Sequence, residues 1–264
     1  MPQIKDPQSR VTVRRMFLLV FLVAGLGFAL RSFVLAPVYV RFASDIMYST
    51  SWWVSILYLL IDGGWMDLAV FALCYPATLY AIWRAGLKDA RRIPILYAIL
   101  TVFKFAVNFI MTSLSDGALP AWSEFVRLEL PVILPQIFLE LLQYALMILF
   151  ICLLRKNYIR KRLHAGESDE TFGTDVFPFR GVFSRTNPVQ RAIFWTAMVL
   201  LLGRVFMHFR YQLALYAWYG VTEGWVQMLI DLVFDLAVAA VFYFVSLLLL
   251  LRFSERDRTE GTAN

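Results

Sequence analysis

Apolar residues run along this chain in six long stretches, separated by shorter polar connections. The stretches lie near 16–36, 53–83, 93–114, 125–154, 190–217 and 223–251. Each is long enough to cross about 30 Å of hydrocarbon as a helix. The pattern predicts an all-α polytopic membrane protein with six transmembrane helices in a single domain over 1–264. Residues 155–189 are the expected cytoplasmic connection and 253–264 the cytoplasmic tail. Asn187-Pro188 reads as the cap and first turn of the fifth stretch. Arg14-Arg15 ahead of an apolar run has the outline of a cleavable leader. Arg31 interrupts that run, however, and Pro37 follows the small residue Ala36, so the stretch is expected to stay as the first span.

Composition agrees with the pattern. Of 264 residues, 60% are apolar and only 17% charged, against about a quarter charged in a soluble domain. An ordinary soluble enzyme and a disordered chain are both excluded. Cys74 and Cys152 lie inside apolar runs, so no disulfide framework is suggested. The chain has 25 cations, 19 of which fall in the N-terminal arm, 84–92, 155–191 and the tail. That asymmetry predicts both termini on the cytoplasmic side of a plasma (inner) membrane. Trp52, Trp53, Trp122, Trp218 and Trp225 cluster at the opposite ends of the stretches, where an interfacial belt belongs. In the 155–189 connection a basic half precedes the aromatic run Phe177–Phe183. It is expected to lie on an anionic leaflet, the sharper alternative being a gate or docking segment.

The chemistry lies in ionisable residues inside the stretches, where charge is costly and normally has a partner. Taken as three hairpins, each first helix carries a cation: Arg31, Lys104, Arg204. Each second helix carries an acid at similar distance from the turn: Asp67, Glu140, Asp235. Asn108 and Gln136 mirror each other in the second hairpin, as do His208 and Asp231 in the third. Residues four apart share a helix face, so Arg204 and His208 form one polar stripe, Asp231 and Asp235 another. Those two acids, one turn apart, could hold one proton between them. Asp67-Leu-Ala-Val70 recurs as Asp235-Leu-Ala-Val238, and Leu60-Ile-Asp62 as Leu229-Ile-Asp231. This suggests a repeat of hairpins; chance matching among apolar helices is the alternative. The second stretch has one extra residue beside Gly63-Gly64, where a π-bulge is expected. Pro131 and Pro135 interrupt the fourth at similar depth, marking either a substrate site or a plain kink.

No HExxH, GxSxG, Walker or dinucleotide signature is present, so an enzyme is disfavoured and no cofactor is expected. His208 with Asp231 makes a better hydrogen-bonded pair than a metal site, and nucleic-acid binding is not suggested. The candidate binding residues are Arg31, Asp62, Asp67, Lys104, Asn108, Gln136, Glu140, Arg204, His208, Asp231 and Asp235. The leading expectation is transport or binding of a small polar or anionic solute at a central polar site. A partner membrane subunit or a cytoplasmic ATPase would assist. The alternative is a non-transporting scaffold, assembly or regulatory subunit whose buried charges pair only structurally.

Overall fold

A computed structural model of the chain describes residues 7–47, 64–115, 121–164, 181–219 and 224–262. Their regular structure is entirely helical. They comprise α1 (Pro7–Leu30), a π-helical turn (Arg31–Leu35), α2 (Ala36–Met47), α3 (Gly64–Ala85) and α4 (Arg92–Ser115). A second π turn (Phe125–Glu129) leads into α5 (Leu130–His164), followed by α6 (Pro188–Tyr219) and α7 (Gly224–Thr262). Five stretches are long and apolar enough to cross a membrane: Arg10–Tyr39, Trp65–Ala85, Leu87–Met111, Ile133–Tyr158 and Leu232–Arg256. They match five of the six expected spans. In α6 the apolar part among the described residues is Pro188–Gly203.

The chain divides into two compact units, Met1–Thr174 and Asp175–Asn264. In the first, α1 packs on α3 and α4, and α5 also packs on α3 and α4. Helix α3 is the inner element: 72% of its most apolar window is buried, against 22% for the first stretch and 18% for that of α5. Its sequence explains this. Ala72, Cys74, Ala77, Thr78 and Ala81 are small and buried, which lets neighbouring backbones approach closely. Tyr75, Leu79, Tyr80 and Ile82 fill the space between. Gly86, with φ 82°, ends the helix in a conformation that side chains rarely adopt. Arg155 of α5 then donates from Nε to the Trp83 carbonyl at 2.8 Å, satisfying a C-terminal acceptor.

Both π turns have one local cause. The Ala36 N–H donates to the Arg31 carbonyl, and the Leu130 N–H to that of Phe125, each five residues back. Pro37 and Pro131 each follow two residues after such a turn. A proline ring collides with the carbonyl four residues earlier. Here that carbonyl belongs to Phe33 or Arg127, the middle residue of the turn, and widening the turn moves it aside. The π-bulge expected beside Gly63-Gly64 falls partly outside the described residues, and α3 is α-helical from Gly64 onward.

The connection expected over 155–189 is helical in its first part, because α5 continues to His164. Its cations favour this, being good helix formers placed at a C-terminus. Residues 165–180 lie outside the described ones. Likewise α7 carries the expected tail onward as helix to Thr262.

The second unit is the antiparallel pair α6–α7. Asn187 caps α6: its Oδ1 accepts from the Val189 N–H at 2.9 Å and the Gln190 N–H at 3.4 Å. Gln190, at the start of α6, donates to the hydroxyl of Tyr243, well along α7.

Candidate functional site

Arg31 begins the first π turn, Asp67 lies in the first turn of α3, Lys104 is on α4 and Glu140 on α5. These four side chains meet. Arg31 pairs with Asp67 Oδ2. Lys104 Nζ lies 2.8 Å from Glu140 Oε2 and 3.4 Å from Asp67 Oδ2. Two pairs, one in each of the first two expected hairpins, are thus joined through Asp67 into one chain of alternating charge. Lys104 is 2% exposed, while Arg31, Asp67 and Glu140 retain 20–23% exposure. With two cations and two acids, the formal charge of the quartet cancels.

Neutral groups complete it. Tyr97 and Thr101 donate to Glu140 Oε1 at 3.5 and 3.4 Å. The Lys104 ammonium also lies over the rings of Phe28 and Phe105, 4.9 and 4.4 Å from their centroids, a favourable setting for a desolvated cation. Beside the charges is an aromatic layer. Tyr97 stacks on Tyr144 at 4.3 Å, and Tyr144 meets the edge of Phe71 at 6.3 Å. The Tyr144 hydroxyl shares a 2.5 Å hydrogen bond with Thr78, so its polar end is satisfied inside the unit.

Close approach of α1 and α3 is what aligns the first pair. A Cβ at Gly27 would collide with Val70 Cγ2. Arg31 is one turn beyond Gly27, and Asp67 one turn before Val70, so contact at the glycine sets their spacing. One polar atom is left over. Asp67 Oδ1 is buried and has no hydrogen-bond partner among the described residues.

Not every candidate joins the quartet. Asn108 is half-buried, one turn beyond Lys104 on α4. Asp235 is fully buried in the α6–α7 unit. Arg204, His208, Asp231 and Gln136 lie on described helices, but their side chains fall outside the described set, as does Asp62 altogether. Gly27, Phe28, Tyr97 and Thr101 were missed by sequence reasoning. Tyr97 and Thr101 had a signal: they precede Lys104 by seven and three residues, the spacing of one helix face. Among the described residues no group of three or more His, Cys, Asp or Glu could hold a metal ion. Comparison of the chain with family models, with curated proteins and with solved structures finds no match.

Proposed function

We propose that this chain is a six-span membrane protein, with both termini cytoplasmic, that binds and carries a small polar or anionic solute at the Arg31–Asp67–Lys104–Glu140 quartet. The observation carrying this reading is Asp67. One of its oxygens bridges two cations, and the other is buried with no hydrogen-bond partner among the described residues. An orphan buried acceptor calls for a missing donor, which a solute N–H or O–H would supply. An incoming anionic group would compete with Asp67 for Arg31 and Lys104, and a proton taken up by Asp67 would release both cations to it. The α6–α7 stripes belong to the same proposal as a polar region of the second unit, and Asp62 as a further binding residue of the first. Down a solute gradient the chain would carry its solute alone; a partner membrane subunit or cytoplasmic ATPase would drive carriage against one.

A structural reading, in which the chain is a scaffold, has one observation in its favour: the quartet neutralises itself. Purified protein in proteoliposomes separates the two. Uptake is measured for a panel of labelled amino acids, carboxylates, phosphate and sugars. Solute carriage predicts uptake of at least one class, reduced tenfold or more by Asp67→Asn when assayed well below the melting temperature of the variant, which loss of the Arg31 and Lys104 contacts lowers. A scaffold predicts no uptake across the panel, and a variant altered only in melting.

A further inference from the structure

A groove of about 330 Å³ runs between α1 and α4, from Phe21 to Phe33 on one side and Leu100 to Val107 on the other. Gly25, Ala29 and Ser32, small residues on one face of α1 and its π turn, line it. A side chain placed on Gly25 would enter open space. Phe21, Leu26, Phe33 and Phe103 on the rim are exposed, and among the described residues of this unit nothing covers the groove, so on a membrane-spanning stretch it is open to lipid. Small residues alone would indicate only a place for close packing. A second observation points to an occupant: Ser32 is 1% exposed, lines the groove, and its Oγ has no hydrogen-bond partner among the described residues. Hydrocarbon offers no water to satisfy it.

Dimensions select the occupant. Twelve residues of helix from Phe21 to Phe33 rise about 18 Å, close to the roughly 15 Å of hydrocarbon in one leaflet. The groove starts near the middle of the Arg10–Tyr39 stretch and ends at Ser32, beside the charged quartet. A second helix, about 10 Å across, would need several times this volume over that length. We propose that the groove holds one acyl chain of a bilayer phospholipid, with its ester carbonyl accepting a hydrogen bond from Ser32 Oγ. This rests on the groove and Ser32, and stands whether or not the quartet carries a solute.

The test uses the full chain in phosphatidylcholine nanodiscs containing a trace of phosphatidylcholine with a diazirine at the end of one acyl chain. On irradiation, label is expected to concentrate on Phe21–Leu26 and Leu100–Phe103, above that on the exposed residues Ile95, Leu146 and Leu149. Gly25→Leu, which fills the groove, should lower that labelling at least fivefold. Unlabelled ester lipid should displace the probe about fivefold better than its ether-linked analogue, the worth of one hydrogen bond. Ser32→Ala should abolish that difference. The ester–ether comparison keeps the test decisive if Gly25→Leu folds poorly. Even labelling of all exposed faces, equal competition by ester and ether lipid on the wild type, or cross-linking of the groove to a second copy would each overturn the proposal.

Discussion

Lys104 shows how a single side chain is held. Its ammonium is buried, 2.8 Å from one acid and 3.4 Å from another, over two rings. Lys104→Met would leave two acids without their shared cation. The expected cost is about 3 kcal/mol, the lower part of the range for breaking a buried pair because both acids keep some exposure. Swapping Lys104→Glu with Glu140→Lys should recover only part of it, since residue 104 would then face Asp67. Adding Asp67→Asn should recover more. Melting temperatures of the single, double and triple variants decide this, and equal melting of double and triple would remove the Asp67 bridge. Gly27→Leu should also lower the melting temperature, by the equivalent of about 1–3 kcal/mol for overpacking. The two hairpin pairs were legible in the sequence because antiparallel helices match depth by distance from their turn. The Asp67–Lys104 bridge was not, since it depends on how one hairpin packs on the next, and no spacing within either encodes that.

Helix termini and irregular turns follow from local chemistry, and were legible to the extent that their cause is local. Asn187-Pro188 announced the start of α6 because an asparagine cap needs only the next three residues. Asn187→Ala should cost about 1 kcal/mol and speed hydrogen exchange at Val189 and Gln190 several-fold, whereas Asn187→Asp should leave both nearly unchanged. One π-bulge is expected beside Gly63-Gly64, partly outside the described residues; the two π turns among the described residues stand ahead of Pro37 and Pro131. The signal lay in these two prolines, each of which keeps clear of a carbonyl four residues back where the helix widens, whereas Pro76 and Pro135 lie inside α-helix without such a turn.

The molecule as a whole divides its charges between its ends and its interior, and the two groups have different uses. The end charges argue for orientation. Reporter fusions at residues 88, 118, 170, 220 and 264 should read in, out, in, out, in, and an outside reading at 170 would sink the proposed topology. That the chain is helical and rich in spanning stretches was legible from composition and run length. The division into two compact units was not, because apolar helices look alike whichever neighbours they choose. The interior pairs bear on synthesis. Lys104 leaves the ribosome 36 residues before Glu140, and Arg31 precedes Asp67 by the same interval. Until its acid arrives, each cation burdens its own helix, by up to the roughly 2.5–3.5 kcal/mol that a charge costs at the bilayer centre. The translocon thus receives a helix that is costly to release alone, followed by the one that neutralises it. Insertion by hairpins is therefore the expected step for these two pairs, with each first helix entering the bilayer together with the helix that brings its counter-charge.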